Sequence, residues 1–244
     1  MSRWKAAGIH LLLSIAIVGT IVLFMLLAWY PWPLFGVAGG GRLIFILAAV
    51  DVTIGPLITL IIFKVGKKSL RFDLTVIALL QIAAIGYGIH TVYLARPVYM
   101  VFTLDRFDVV MAKDLDPKDL AVTTHPAFRR VPLGRPRFIG VQEPTDLATR
   151  NRLLDSALQG KDIQLFPQYY VDYSTMTALA LARAKPLKIL RDRNAKMIDA
   201  FLSSEKMQEA QVKFLPLRGP KLDGAVLLDA QSGLPLKILL IDPW

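Results

Sequence analysis

The chain contains no cysteine and only three histidines. The first absence excludes disulfide staples, thiolate nucleophiles and cysteine-based zinc sites, and it is compatible with any redox compartment. The second leaves His125 as the only histidine outside the apolar N-terminal region, so a histidine-based metal site or proton relay has few partners. No glycine-rich phosphate loop follows a strand, and "AGGGR" (38–42) lies between two apolar runs, where flexibility explains it. The acid-rich stretches "KDLDPKDL" and "DRFD" match no calcium-loop spacing, while "STM" and "SSEK" lack the surroundings of a nucleophile motif. No Arg/Lys stripe with interleaved aromatics stands out, which argues against nucleic acid as a partner. The expectation is therefore a protein without cofactor, without metal and without catalytic residues, that is, not an enzyme.

What is present is hydrophobicity, concentrated at one end. Of the 244 residues 54% are hydrophobic, and nearly all the long apolar runs fall before residue 96. The natural partition is an anchor over 1–95 and a second domain of about 150 residues over 96–244. Three runs reach or approach the roughly 20 residues that cross a bilayer's hydrocarbon: about 8–29, 43–63 and 74–95. The first is longer than a secretory h-region and runs into "AWYPWP" without a small-x-small cleavage site, so it reads as an uncleaved signal anchor.

The net charge of +10 divides evenly: seven Lys/Arg against two acids up to residue 95, and 22 against 17 after it. In the anchor the cations are clustered. Arg3 and Lys5 precede the first run, and Lys64, Lys67, Lys68 and Arg71 fill the loop between the second and third, whereas "YPWPLFGVAGGG" has none before Arg42. The positive-inside rule then makes the N-terminus cytoplasmic and places 96–244 on the opposite face, the periplasm of a Gram-negative cell. Trp29, Tyr30, Trp32, Tyr93 and Tyr99 fall at that outer boundary, where an aromatic belt is expected.

Polar residues inside the runs are the candidate functional positions. Asp51 lies well inside the second run, and an ionised Asp there costs roughly 3 kcal/mol, so it should face other helices or water. Pro56 cannot donate to the Val52 carbonyl, and with Gly55 it predicts a kink beside Asp51. Counted by depth, Asp51 is level with Thr20 in the first run and Tyr87 in the third, which predicts a polar cluster of Asp51, Thr53, Thr20 and Tyr87 around that kink. Gln81 is a further polar position in the third run. Asp51, Gly55, Pro56, Thr20, Tyr87 and Gln81 are thus candidate positions for helix packing or partner recognition, with the structural knot weighing somewhat more than the functional site. His10 and His90 sit near the ends of their runs, where an interfacial histidine needs no special role.

The second domain reads as α+β. "PVYMVFTLDRFDVVMA" (97–112) is a β-hairpin and "PRFIGVQEP" a further strand. "TDLATRNRLLDSALQG" is a helix with Thr145 as N-cap and Gly160 as stop, and "TMTALALARA" and "NAKMIDAFLSSEKM" are two more helices separated by "KPLKILRDR". Three strands close the chain, the last two joined by a turn containing "QSG". The expected fold is an antiparallel sheet with helices on one side.

Taken together, "SRWKAAGIHLLLS", the block "AAVDVTIGPLITLIIFKVGKKSLRFDLTVIALLQIAAIGYGIHTVYLARPVYMVF", "LDRFDVV" and the terminal "DPW" resemble the type IV pilin accessory proteins TfpX and TfpZ and their FimB-like relative. The resemblance covers nearly the whole chain and implies a multi-pass bacterial inner-membrane protein supporting assembly, stability or surface display of a cognate major pilin. The implied partners are the lipid bilayer, that pilin and other components of the pilus assembly. Two other readings remain at this stage: an ion- or proton-coupled membrane component using Asp51, and a membrane-anchored periplasmic hydrolase with a cleft near His125.

Overall fold

A computed structural model describes residues 2–244. Three long apolar helices come first, α1 (Arg3–Trp29), α2 (Gly40–Ile62) and α3 (Leu70–Leu94), each long and apolar enough to cross a membrane. All three begin several residues before the apolar runs that announce them, because a helix continues into its polar flanks: the Ser2 hydroxyl caps α1 by accepting from the Lys5 N–H. The π-helical turns Met25–Trp29 and Ala49–Ile54 widen α1 and α2 locally. The second of these ends directly before the Gly55-Pro56 pair. The Gly55 N–H reaches back five residues to the Val50 carbonyl, so the ladder is re-registered just ahead of the proline that cannot donate.

Only Ala95 and Arg96 separate α3 from β1 (Pro97–Phe102), which is followed by β2 (Phe107–Met111), β3 (Arg137–Val141), β4 (Tyr170–Asp172), β5 (Lys185–Pro186), β6 (Val212–Arg218), β7 (Gly224–Asp229) and β8 (Pro235–Leu239). The sheet runs β4-β3-β1-β2-β6-β7-β8, with β5 paired to β6. Besides a six-residue helix at Pro117–Val122, the same part of the chain forms three helices among the described residues: α4 (Leu147–Leu158), α5 (Thr177–Arg183) and α6 (Lys188–Glu205).

Two expectations are corrected here. The sheet is mixed rather than antiparallel, because β1 pairs with β3 and β2 pairs with β6 in parallel. Alternating apolar residues show which face of a strand is buried, but not the direction of its neighbour. The β2–β6 junction is only two residue pairs long and carries an ion pair, Arg218 Nε to Asp108 Oδ1 at 2.8 Å. Asp108 is buried and burial pushes its carboxyl pKa up, while Arg106 and Arg218 pull it back. The helices, moreover, cover both faces. Ala180 of α5 packs on Leu215, Leu217, Val226 and Leu228, whereas Ile198 and Phe201 of α6 pack on the opposite side chains Phe214, Ala225 and Leu227.

Smaller differences have local causes. Asp146, not Thr145, caps α4, accepting from the Thr149 N–H at 2.8 Å. "KPLKILRDR" separates two helices only over its first three residues: Lys185–Pro186 form β5, and from Lys188 the stretch enters α6, which is interrupted at Asn194, whose amide donates to the Leu190 carbonyl. Leu187 and Leu190 are buried, which draws this segment onto the sheet. Two of the five residues expected in an aromatic belt are core residues instead: Tyr30 and Tyr99 are fully enclosed, and Tyr30 donates to the Val92 carbonyl.

The apolar helices and the sheet are joined at several points. Leu34 and Val37, from the one-turn helix between α1 and α2, lie in the core cluster of the sheet with Phe102, Phe107 and Leu217. The Val37 carbonyl accepts from the Lys221 N–H at 3.1 Å, Trp29 Nε1 donates to the Leu133 carbonyl, and Arg135 Nε donates to the Leu27 carbonyl. Arg96 is 0% exposed. Its guanidinium lies 3.8 Å from the Tyr93 ring centroid and donates to the carbonyls of Tyr93 and Pro132.

Arg96→Ala should therefore destabilise the protein by about 2–4 kcal/mol, from a buried void plus two unpaired carbonyls. The readout is thermal melting in detergent together with proteolysis at the α3–β1 junction; unchanged melting would remove Arg96 from this role. The Asp229 carboxylate accepts from the Gln231 and Ser232 amides in the β7–β8 turn, and these hydrogen bonds, the Ser232 amide first, lower its pKa. A carboxyl with a depressed folded-state pKa contributes stability above its ordinary range and loses it as pH falls through and below that range. Asp229→Asn should accordingly flatten the dependence of melting temperature on pH below about 4, the ordinary aspartate range. An acid limb as steep as the parent's would exclude it.

Candidate functional site: a polar cluster between the apolar helices

α2 carries Asp51, Gly55 and Thr59 at four-residue spacing, which aligns them along one face. All three are buried, Asp51 to 1% exposure. Opposite them stand His10 and Ser14 of α1 and Gln81 of α3. His10 Nδ1 lies 2.6 Å from the Thr59 hydroxyl, and His10 Nε2 lies 2.7 Å from Gln81 Oε1. An amide oxygen only accepts, so Nε2 donates to Gln81, while Nδ1 pairs with the Thr59 hydroxyl, which can either donate or accept. One imidazole thereby links all three helices.

Gly55 makes this approach possible. A Cβ at position 55 would fall 2.1 Å from the Gln81 amide nitrogen and 3.2 Å from His10 Nε2. A glycine lets the α2 backbone meet both side chains without displacing the Gln81 amide, the close approach that small residues permit between apolar helices.

Asp51 is the exception to this pairing. Its Oδ1 is enclosed and has no hydrogen-bond partner among the described residues. It borders an open-mouthed cavity of about 300 Å³ that also touches His10, Ser14, Thr59 and Gln81 and is otherwise lined by apolar side chains of α1 and α3. A second cavity, about 390 Å³, lies between α2 and α3 on the other flank of Gln81 and is lined by Gly55, Ile58 and Val76. α3 therefore packs loosely on both sides of its one cluster residue.

Of the candidate positions, the structure brings together Asp51, Gly55 and Gln81, with Pro56 buried beside them. It does not bring Thr20 or Tyr87. The Thr20 hydroxyl donates to the Ala16 carbonyl of its own helix, and Tyr87 is 75% exposed. Thr53, expected beside them, is exposed as well. Equal depth does not imply a shared face, and these side chains turn away from the seam. His10 and Thr59 were missed. The repeat 51–55–59 was the signal for Thr59; for His10 it was the stripe His10–Ser14–Val18 on α1. His125 takes no part: its Nδ1 accepts from the Ala127 N–H and its ring stacks on Phe128.

Comparison with known proteins identifies the lineage. The family model described as fimbrial assembly protein FimB matches residues 1–39, the region that contains His10 and Ser14. Two fimbrial assembly proteins of Dichelobacter nodosus, those of serogroups I and E1, are 32% and 31% identical over 232 residues, covering 92% of this chain and 90% of each relative. The chain belongs to the FimB family of fimbrial assembly proteins. A third member, from serogroups C1 and C2 of the same organism, is 35% identical over 113 residues, 46% of this chain. No solved structure matches the chain.

Gly55→Ala should destabilise the helix cluster by about 1–3 kcal/mol through overpacking. Because the nearest atoms belong to Gln81, the double variant Gly55→Ala/Gln81→Ala should recover most of that loss. Thermal melting of the purified protein checks both, and a single variant that melts with the parent would show that Gly55 is not at a tight contact.

Proposed function

We propose that this FimB-family chain is a non-enzymatic inner-membrane accessory protein that supports assembly, stability or surface display of a cognate type IV pilin. In this reading α1, α2 and α3 cross the bilayer with the N-terminus cytoplasmic, and residues 96–244 stand in the periplasm. The clustered Lys/Arg of the N-terminus and the 64–71 loop support that orientation. The names of the relatives support the role, since each is called a fimbrial assembly protein.

The observation that carries the mechanism is the enclosed, unpaired Asp51 oxygen beside a cavity. A polar atom left unpaired in hydrocarbon costs on the order of several kcal/mol, and a donor brought by another helix removes that penalty. The three helices leave most of their apolar surface uncovered: only 17%, 24% and 6% of the most apolar stretches of α1, α2 and α3 are buried. A single apolar helix of the pilin laid along α1 and α3, with a polar group at Asp51, satisfies both requirements. Asp51, Gly55, Pro56 and Gln81 are then recognition or packing positions, joined by His10 and Thr59, while Thr20 and Tyr87 lie outside.

A photo-crosslinking amino acid placed at Ile82 or Leu13, beside the cavity, should trap the co-expressed pilin through its apolar helix. Asp51→Leu should reduce that adduct roughly tenfold, about 1.4 kcal/mol of lost binding, with protein level unchanged. Absence of any pilin adduct from both positions would overturn the proposal.

A further inference from the structure

The largest cavity described is not among the apolar helices. It is a groove of about 730 Å³ in the sheet region, beside the loop that joins α1 to α2. One side is formed by β8, and every residue from Pro235 to Leu240 lines it. Successive side chains of a strand point to opposite faces. A cavity that touches all five residues of the strand, and Leu240 after it, therefore lies against the strand's edge and not against either face. β8 ends the sheet order and pairs only with β7, so among the described residues its outer edge has no strand partner.

The groove has two walls. Met197, Ala200, Phe201 and Ser204 form one stripe of α6 along one side. On the other, Phe138 and Met100 of the sheet continue into Leu34 of the α1–α2 connection. An open edge strand flanked by a helix is the geometry by which proteins accept an extended peptide as an additional strand: backbone hydrogen bonds form to the edge, and alternate side chains enter the pockets on either side. The five residues of β8 offer about 17 Å of edge at ~3.3 Å per residue. Both charged side chains that line the groove are cationic, Arg135 and Lys237, and no carboxylate does. Lys237 sits over the Phe201 ring with its ammonium 5.6 Å from the centroid.

We propose that this groove is a strand-addition site that receives an extended, apolar, acid-bearing segment of the pilin's extramembrane part, which pairs with β8 and meets Lys237 and Arg135 with its carboxylate. The proposal rests on the pilin-accessory reading and gives it a second contact. The groove opens beside Pro31–Leu34, at the end of α1, so a partner whose helix lies along α1 and α3 has its extramembrane part nearest this edge.

The experiment uses the full-length chain in cells that co-express its pilin. A photo-crosslinking amino acid is placed at Leu236, on the sheet side, or at Met197, on the α6 side; both side chains are partly exposed. The expected result is a pilin adduct from each position, mapped by mass spectrometry to one segment. Because the two probes stand on opposite walls, the two sets of crosslinked pilin residues should differ by an odd number of positions, as an extended chain requires. Lys237→Glu, a change at an exposed residue, should lower both yields about fivefold or more while the melting temperature stays that of the parent. Failure of both groove probes while Ile82 still traps the pilin overturns the groove and leaves the accessory reading standing. Loss of adducts at all three positions overturns both. Adducts that map to a helical segment of the pilin, or to a second copy of this chain, also overturn strand addition.

Discussion

The passage from α3 into β1 is the constraint on which the rest of the structure turns. Two residues make it, and the second, Arg96, is wholly enclosed, stacked on Tyr93 and donating to the carbonyls of Tyr93 and Pro132. A buried guanidinium is costly unless its charge and donors are met, and here an aromatic face and two carbonyls meet part of that demand, while Nε has no partner among the described residues. With no slack at this point, β1 is aimed by α3. The central pairings of the sheet follow from β1, because β2 and β3 are its two neighbours. The insertion of Leu34 and Val37 into the sheet's core adds a second, independent tie, so the apolar helices and the sheet hold one mutual orientation.

Much of this was legible in the sequence, for identifiable reasons. The three apolar helices follow from run length, the 97–112 hairpin from two apolar runs around "LDRF", and the closing strands from alternation punctuated by "QSG". What was not legible depends on contacts between distant segments. The parallel pairing of β2 with β6 joins residues about 110 apart and rests on Asp108 meeting Arg218, which no local pattern shows. The entry of the α1–α2 connection into the sheet is equally invisible, since "YPWPLFGVAGGG" reads as a loop and its burial depends on a core formed by residues 100–228.

The polar cluster illustrates the same division. Asp51 and Gly55 stand out because a carboxylate and a glycine-proline pair are conspicuous in an apolar run. Their partners do not stand out. Depth alone pointed to Thr20 and Tyr87, but rotation about the helix axis decides which side chains meet, and at 100° per residue an error of one or two positions turns a side chain away. The structure replaces them with His10, placed near the helix end by counting, and Thr59, two turns beyond Asp51. A histidine bonded on both ring nitrogens to two other helices is a connector, and that role appears only once three helices are assembled.

The spacing of Asp51, Gly55 and Thr59 also opposes sliding of α2. A shift of one helical turn, about 5.4 Å, would bring either Asp51 or Thr59 into the place where Gly55 now meets Gln81. Either neighbouring register would force the Gln81 amide aside from its bond to His10, which favours the present height of the helix relative to α1 and α3. Its other end leads back into the Leu34–Val37 segment, which is fixed in the sheet. α2 consequently behaves as a ruler of set length between the polar cluster and the groove at β8, so that any partner touching both must match one fixed distance.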